Sequence, residues 1–271
     1  MNSILHKMAR TRNISLDIGG SFIKCSDGRK VPVDSDGTKE QIALAIKEAV
    51  GPTADLASIG VCAPGPFDYR EGIFLMKHKF AAVYGESFRT LAGIPDEVET
   101  KYVHDVVAPL QGLIRMHPEF RWGAVGLVTL GTGLGFSHAL HGKVVLNEML
   151  SPAFSLYNLP YKEGVLEDYV SRRAILREYG MPAEGDVGEI AALARAGKPE
   201  ASEAFRTVAA AFADGAGPHL KELGITTLMF GGQISKAFDL MEATLKDALP
   251  GIEMFEVKNY EEAVIAGTSL V

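Results

Sequence analysis

The chain has 271 residues, of which 47% are hydrophobic and 8% aromatic, and its formal net charge is −7. This composition indicates a globular protein of one large or two compact domains and argues against intrinsic disorder. The negative charge provides no electrostatic surface for nucleic acid or for an anionic membrane. The two cysteines lie far apart in the chain, which favours a reduced cytoplasmic protein without structural zinc. Residues 1–12 are basic and lack the apolar core of a secretory signal, so we expect a frayed leader.

The first informative stretch, residues 13–24, is a predicted strand that ends in a carboxylate and two glycines. Apolar and polar side chains alternate along it, so Asp17 projects from the polar face. The glycine pair leaves backbone N–H groups accessible to a phosphate, and a carboxylate beside phosphates can hold a hydrated Mg²⁺. An ordinary glycine hairpin with a structural Asp explains the stretch about equally well. The candidate ligand-binding residues here are Asp17, Gly19, Gly20, Ser21 and Lys24.

The next elements lead to a loop that is rich in proline. We predict an edge strand at residues 30–33 and a helix that begins with the capping box Thr38-x-x-Gln41. A short apolar strand at residues 56–62 then enters the loop Ala63-Pro64-Gly65-Pro66-Phe67-Asp68. Because prolines fix φ, this loop is preshaped and suits the wall of a binding cleft, with Gly65 at its tip. A plain surface turn is an equally good interpretation of these residues.

Asp105 is the candidate general base. Apolar side chains recur at helical spacing through residues 103–114, which puts Asp105 at or just before the first turn of a buried helix. Helix capping is a common role for Asp at that place, and on spacing alone it outweighs catalysis by roughly two to one. The alternative is a base that accepts a hydroxyl proton during phosphoryl transfer, for which a positioned carboxylate suffices.

A second glycine turn follows the predicted strand at residues 126–130. It lacks the spacing of a dinucleotide-binding fingerprint and continues into another strand rather than a helix, and the chain has no P-loop sequence. The sequence therefore contains two strand, glycine turn, strand units, which would clamp a polyphosphate from both sides if they faced each other. The candidate residues of this second turn are Gly131, Thr132 and Gly133.

The remaining candidate site residues are two glutamates and a third glycine pair. Glu148 and Glu167 are most simply solvated charges, the second within a predicted helix at residues 164–175. A buried strand at residues 225–230 delivers the glycine pair Gly231-Gly232. In open α/β sheets ligands bind at the carboxyl ends of strands, and a nucleotide base against this pair fits that rule.

The sequence resembles the ROK family (repressor, open reading frame, kinase) of sugar kinases, within the actin-like ATPase superfamily. The resemblance spans nearly the whole chain, and its motifs are individually weak but collinear. They are Asp17-Ile18-Gly19-Gly20-Ser21, the 63–68 loop, His104-Asp105, Leu130-Gly131-Thr132-Gly133-Leu134-Gly135, Asn147-Glu148, Leu166-Glu167-Asp168-Tyr169-Val170-Ser171 and Gly231-Gly232-Gln233-Ile234-Ser235.

The resemblance implies an α/β protein with two ribonuclease-H-like domains and a ligand cleft between them. We place the domains at residues 1–107 and 108–257, with a helix at 258–271 packing back on the first. ATP with Mg²⁺ would bind the first two glycine hairpins, and a hexose would bind nearby. By position, Asp105 is the base, while Gly65, His104, Glu148 and Glu167 face the sugar. Gly131, Thr132 and Gly133 would hold phosphate, and Gly231 and Gly232 the adenosine. Homodimers are usual in the family.

Departures from the family pattern leave alternatives open. The family usually has Asn where His104 stands, an Asn-Leu pair near Lys79-Phe80, and His where Ser151 falls. Its zinc-binding cysteines are also missing, so we expect no zinc site. The sequence predicts a glucokinase-like, ATP-dependent sugar kinase. A polyphosphate-dependent glucokinase, whose first hairpin resembles the one here, is the alternative among enzymes. A catalytically silent sugar-binding sensor is the alternative from another class.

Overall fold

The structure is a computed structural model that describes residues 10–270. The expectation of a frayed leader therefore falls mostly outside the described residues. Among them, no helix is both long and apolar enough to cross a membrane.

The strands are β1 (Arg12–Ile18), β2 (Phe22–Cys25), β3 (Lys30–Pro32), β4 (Leu56–Ala63), β5 (Phe67–Asp68), β6 (Ile73–Phe74), β7 (Glu99–His104), β8 (Ala124–Leu130), β9 (Leu134–Leu140), β10 (Lys143–Val144), β11 (Pro160–Tyr161), β12 (Gly164–Val165), β13 (Thr227–Gly231) and β14 (Glu253–Glu256). The helices are α1 (Lys39–Val50), α2 (Phe88–Ala92), α3 (Val107–Met116), α4 (Leu166–Tyr169), α5 (Arg172–Tyr179), α6 (Val187–Arg195), α7 (Pro199–Glu222), α8 (Glu242–Ala248) and α9 (Tyr260–Thr268).

The chain divides into two compact units, each with its own five-stranded sheet and apolar core. Unit 1 comprises the chain up to Met116, the segment Leu146–Ser151 and the chain from Glu261 onwards. Unit 2 comprises His117–Val145 and Pro152–Tyr260. These bounds differ from the domain limits that we placed at residues 107 and 257, because helix α3 and a short central segment belong to unit 1.

Unit 1 contains the sheet with strand order β3-β2-β1-β4-β7. Strand β1 is central and pairs antiparallel with β2 and parallel with β4, which in turn pairs parallel with β7. Burial of Ile14, Leu16 and Ile18 accounts for the alternation seen in the sequence. The capping box before α1 is present: Thr38 Oγ1 accepts from the Gln41 N–H, and the Gln41 side chain accepts from the Thr38 N–H.

Helix α9 packs against α3 with their backbones in direct contact. A Cβ atom added at Gly267 would lie 1.7 Å from the Ala108 carbonyl oxygen, and one added at Gly112 would lie 1.8 Å from the Ala263 oxygen. Each helix therefore contributes a glycine where the other approaches most closely, and any larger residue would push the helices apart.

Unit 2 contains the sheet with strand order β10-β9-β8-β13-β14. Strands β8 and β9 form an antiparallel hairpin, and β13 pairs parallel with both β8 and β14. The long helix α7 covers this sheet with a face rich in alanine and phenylalanine, including buried Phe205 and Phe212. Pro218 lies within α7, which continues to Glu222.

Two helix predictions need correction. Val103, which the helical spacing included, is the fifth residue of strand β7, and helix α3 starts only at Val107. The helix predicted at residues 164–175 is instead two helices, α4 and α5, because Ser171 starts a new helix as its N-cap. In both places the apolar residues of the sequence are consistent with more than one secondary structure.

His138 is a buried titratable group in strand β9 of unit 2. Its side chain is 3% exposed, its ring lies 5.9 Å from that of Phe136, and no hydrogen-bond partner is found for Nδ1. Burial lowers the pKa of His138 below its usual value, because the charged imidazolium would lose its hydration.

We therefore expect His138 to weaken the fold in acid. Below pH ~6.5 the unfolded chain binds a proton at this histidine that the folded chain does not, so stability falls as pH drops towards the lowered pKa. In a His138→Phe variant this loss should disappear. The free energy of unfolding of the wild type, relative to the variant, should decrease by up to ~1.4 kcal/mol per pH unit between pH 6.5 and 5. Urea titrations followed by circular dichroism measure it, and parallel curves for both proteins would contradict the assignment.

Candidate functional site

In unit 1, three parallel strands end side by side and bring together the polar residues singled out in the sequence. Asp17 of β1 pairs in register with Cys62 of β4, and Ala63 of β4 pairs with His104 of β7. The Asp105 N–H donates to the Ala63 carbonyl oxygen at 3.2 Å, so the backbone of the candidate base is attached to the neighbouring strand. The strand order thus places both carboxylates at the carboxyl edge of one sheet.

The Asp17 carboxylate lies in an environment that disfavours its charge. Burial is the main cause that raises its pKa, and the nearby carboxylates of Asp105 and Glu261 raise it further. Lys24 opposes this effect, as does a hydrogen bond that the Cys62 thiol donates. The Lys24 ammonium is itself paired with Glu261 at 2.6 Å. This edge of the sheet therefore carries more negative charge than its one lysine balances.

Asp105 is held by its chain neighbour rather than by a helix. Its Oδ1 lies 2.8 Å from Nδ1 of His104, and its side chain is 44% exposed. Helix α3 starts at Val107, so Asp105 lies one residue before the N-cap position. Asp105 is therefore not the N-cap of α3, and its role as a base stays a prediction.

The loop after β4 encloses the His104 ring. Tyr69 lies 5.3 Å from His104, centroid to centroid, and its hydroxyl donates to the Ala63 carbonyl oxygen at 3.1 Å. Burial raises the pKa of Tyr69, which keeps that hydroxyl protonated. A Cβ atom added at Gly65 would lie 3.2 Å from Nε2 of His104, so the loop backbone borders the ring directly. Gly65 is followed by a cis proline, Pro66.

Glu148 belongs to unit 1 through the segment Leu146–Ser151. Its backbone carbonyl accepts from the Arg70 guanidinium at 3.0 Å, and its side chain is exposed. The side chain of Asn147 accepts from the Met149 and Ser151 N–H groups and closes this short turn. Glu148 therefore lies in a turn that is held by the Asn147 side chain and by Arg70, and its carboxylate is exposed.

In unit 2, the second glycine turn joins β8 to β9 and is held by Glu167. Oε2 of Glu167 accepts from the Leu134 N–H at 2.9 Å, and a Cβ atom added at Gly133 would lie 2.3 Å from that oxygen. A Cβ added at Gly131 would meet no atom within 4 Å. Glu167 thus supports the turn from one side, while the side of Gly131 that lacks a Cβ is open. The Gly131 N–H donates to the Gly133 carbonyl oxygen at 3.1 Å, and the Gly131 carbonyl accepts from the Arg172 N–H at 3.2 Å.

The third glycine pair is required by packing. A Cβ atom at Gly231 would lie 2.4 Å from the Tyr260 ring, and one at Gly232 would lie 2.4 Å from the Leu130 carbonyl oxygen. Gly232 also has a φ of 93°, which favours glycine. By contrast, Gly19 and Gly20 are not among the glycines with positive φ, so the first hairpin does not need that freedom.

A cavity of about 380 Å³ opens in unit 2 directly after Gly232. This volume suits a small organic ligand. The guanidinium of Arg172 donates to the Ala183 and Gly185 carbonyl oxygens, which fixes it at the cavity wall. The residues that line the cavity are Arg172, Asp186, Val187, Gly188, Ala191, Arg195, Gln233, Ile234, Lys236 and Ala237.

The predicted site residues are divided between the two units. The group in unit 1 is Asp17, Gly19, Gly20, Ser21, Lys24, Gly65, His104, Asp105 and Glu148. The group in unit 2 is Gly131, Thr132, Gly133, Glu167, Gly231 and Gly232. Sequence reasoning missed Cys62, Tyr69 and Arg172, which act through strand pairing or side-chain packing that no local pattern signals.

The comparisons with known proteins identify the fold. No family model matches the sequence, and no curated protein matches it either. Solved structures do match. A glucokinase from Parabacteroides distasonis has 19% identity and a TM-score of 0.78, covering 98% of this chain and 98% of that one. A ROK family glucokinase from Streptomyces griseus, in complex with glucose and AMPPNP, has 20% identity and a TM-score of 0.74, covering 95% and 97%.

An inorganic polyphosphate/ATP-glucomannokinase from Arthrobacter sp. strain KM has 20% identity and a TM-score of 0.67, covering 94% of this chain and 95% of that one. The chain has the fold of the ROK sugar kinases. The fold class predicted from the sequence is confirmed, since the structure is α/β with two five-stranded sheets in this arrangement of elements.

The two thiols provide a test of this site. Burial raises the pKa of Cys25, and raises that of Cys62 well above its usual value with further contributions from Asp17 and Asp105. Because the thiolate is the reactive form, we expect neither cysteine to react with Ellman's reagent within minutes at pH 8 in the folded protein. Both should react once the chain is unfolded in guanidinium chloride, which serves as the control. Rapid labelling of Cys62 in the folded protein would show that the base of the Asp17 site is open to solvent.

Proposed function

We propose that this chain is a ROK family sugar kinase that transfers the γ-phosphoryl group of ATP to a hydroxyl of a hexose or hexose derivative, in the manner of a glucokinase. The observation that carries the proposal is the pair of carboxylates, Asp17 and Asp105, at the carboxyl edge of one parallel sheet within a sugar-kinase fold. One carboxylate serves the phosphates and their counter-ion, and the other serves the acceptor hydroxyl. As in other kinases of this kind, we expect the protein to act in the cytoplasm and without zinc.

Asp105 is the general base. Its exposed carboxylate accepts the proton of the sugar hydroxyl as that oxygen attacks the γ-phosphorus, and the bond between the γ-phosphorus and the bridging oxygen breaks. The proposed sugar-binding residues of unit 1 are Gly65, His104 and Glu148, and that of unit 2 is Glu167; the two carboxylates would accept hydroxyl hydrogens. In Glu167, Oε2 accepts from the Leu134 N–H and Oε1 lies 3.9 Å from the Arg173 guanidinium.

The nucleotide is assigned to the glycine turns and to the cavity beside Gly232. The turn leaves open space on the side where a Cβ at Gly131 would point, which gives a phosphate room to approach, and Thr132 beside it is exposed. The first hairpin adds Gly19, Gly20, Ser21 and Lys24. The cavity of about 380 Å³ after Gly232 is the candidate place for the adenosine, and a glucokinase of this fold binds AMPPNP.

Mg²⁺ fits the donor set in unit 1. No group of three or more His, Cys, Asp or Glu residues among residues 10–270 forms a metal site. Kinases, however, hold Mg²⁺ through one or two carboxylates, phosphates and water. Asp17 supplies such a carboxylate; burial is the main cause of its raised pKa, the charges of Asp105 and Glu261 add to it, and a cation would offset these charges. When bound, Mg²⁺ would neutralise phosphate charge, with Asp17 orienting its water ligands.

Polyphosphate is the alternative donor. A polyphosphate/ATP-glucomannokinase shares the fold, and a phosphate chain needs only the glycine turns and Lys24. A panel of hexoses and N-acetylhexosamines, assayed first with ATP and then with polyphosphate, decides between the donors. We expect ATP to support phosphorylation of at least one hexose. Sugar affinity by calorimetry with no product from either donor would instead favour the silent sensor.

On a phosphorylated sugar, Asp105→Asn should lower kcat by about 10²-fold or more while sugar affinity survives, because the amide cannot accept the hydroxyl proton. Asp96→Asn is a matched control, since Asp96 is an exposed aspartate of unit 1 away from the strand ends. Steady-state kinetics and calorimetry measure both effects. Near-normal turnover of Asp105→Asn would refute the assignment of the base.

A further inference from the structure

Lys24 and Asp17 lie opposite each other in the first hairpin. The two residues are register partners in the antiparallel pair of β1 and β2. Side chains at directly opposite positions project from the same face of the sheet, with Cβ atoms about 4.5–5.5 Å apart. A lysine side chain is long enough to reach the carboxylate across that distance. The strand pairing alone therefore predicts an ion pair between Lys24 and Asp17.

The Lys24 ammonium is instead bound to a carboxylate of helix α9. Its Nζ donates to Oε1 of Glu261 at 2.6 Å. Within residues 10–270 this is the ion pair that Lys24 forms, and it forms none with Asp17. Against the larger effect of burial, the Lys24 charge still lowers the pKa of Asp17, so the ammonium lies near this carboxylate without an ion pair to it. Glu261 therefore draws the ammonium towards α9.

The position of the ammonium decides what the Asp17 carboxylate can bind. A carboxylate that accepts from an ammonium has fewer lone pairs left for the water ligands of a cation. The Cys62 thiol already donates one hydrogen bond to Asp17. A further bond from Lys24 would compete with hydrated Mg²⁺ for the remaining lone pairs. An ammonium held at Glu261 leaves them open.

We propose that Glu261 is the positioning residue of Lys24: it holds the ammonium beside the site but away from the Asp17 carboxylate, so that Asp17 stays available to Mg²⁺ and Lys24 to a phosphate. This inference rests on the proposed kinase function. The Lys24 side chain is 37% exposed and that of Glu261 67%. Water therefore weakens the pair, and the contact can open when a phosphate arrives.

The helix dipole is the simpler explanation for a glutamate at this place. Glu261 and Glu262 both lie in the first turn of α9, where negative charge is favourable. Both are exposed, but in the described part of the chain only Glu261 forms an ion pair with Lys24. The dipole thus accounts for an acid at either position and not for the contact with Lys24. Glu262 is consequently a matched control, with the same side chain in the same helical turn.

Calorimetric titration with AMPPNP at a series of Mg²⁺ concentrations tests the consequence for the cation. In Glu261→Gln we expect the Mg²⁺ concentration that supports half-maximal AMPPNP binding to rise about 3- to 10-fold. The reason is that Lys24 then pairs with Asp17, a carboxylate that water screens less than Glu261. Glu262→Gln should behave as the wild type. Tighter AMPPNP binding in Glu261→Gln would overturn the inference, because Glu261 would then compete with the phosphate for Lys24. An unchanged Mg²⁺ requirement would overturn it as well.

A double variant separates positioning from a direct effect of the Glu261 charge on the cation. Lys24→Met removes the ammonium, and Glu261→Gln is then added. If Glu261 acts through Lys24, the added substitution should change the Mg²⁺ requirement by less than about 1.5-fold, because the group that it positions is already absent. A full 3- to 10-fold loss in the Lys24→Met background would overturn the inference and make Glu261 a cation-binding residue itself.

The position of the ammonium can also be read without nucleotide. ¹H–¹⁵N spectra of the lysine ammonium groups contain a signal of Lys24, which is assigned by its absence in Lys24→Met. We expect Glu261→Gln to shift this signal more than Asp17→Asn does. In the background of Glu261→Gln, we expect Asp17→Asn to shift it strongly. A larger response to Asp17→Asn than to Glu261→Gln in the otherwise wild-type chain would overturn the inference. If AMPPNP does not bind the wild type while the Lys24 signal responds to Glu261→Gln, the proposed function fails and the positioning of Lys24 by Glu261 stands.

Discussion

The constraint on which the site depends is the crowding of negative charge at the carboxyl edge of the unit 1 sheet. Asp17 lies near the end of β1, and Asp105 directly follows β7. Besides burial, the charges of Asp105 and Glu261 raise the pKa of Asp17. Lys24 is close but shared with Glu261. Such an arrangement costs stability in the ligand-free protein, and a bound cation with its phosphates would relieve it. The Mg²⁺ that we propose for this site would supply such a positive charge.

Helix α9 contacts strand β4 next to the residues that carry this charge. Cys62 donates to Asp17, and the Thr268 side chain, near the end of α9, lies beside the Cys62 thiol and donates to the Val264 carbonyl oxygen at 2.7 Å. Thr268 can reach the strand because Gly60 has no side chain: a Cβ there would lie 2.1 Å from the Thr268 carbonyl oxygen. The same helix contacts α3 through Gly267 and Gly112. Helix α9 thus contacts the strand edge that carries Asp17, a residue far from it in the sequence.

The sequence predicted those parts of the fold whose causes are local. The alternation around Asp17 and the capping box at Thr38 each depend on a few adjacent residues, and both are found as predicted. The assignment of Val103 to a helix was wrong because a buried parallel strand presents the same continuous apolar residues as a helix face. Cys62 and Tyr69 escaped notice because their roles arise from strand pairing and ring packing with residues distant in the sequence.

The glycines of the three turns differ in how strongly they support a bound nucleotide, because packing within the protein explains some of them and not others. Gly231 and Gly232 are explained by the Tyr260 ring and the Leu130 carbonyl alone, so the pair itself carries no information about a nucleotide. What supports a nucleotide there is the cavity that follows Gly232, with a guanidinium fixed in its wall. Gly131 is the opposite case, because no atom of residues 10–270 lies within 4 Å of the place where its Cβ would be. Packing therefore does not require this glycine, and the open space in a turn held by Glu167 is the stronger argument for a phosphate. The Gly131 N–H itself donates to the Gly133 carbonyl oxygen, so a phosphate would have to be bound by other groups of the turn.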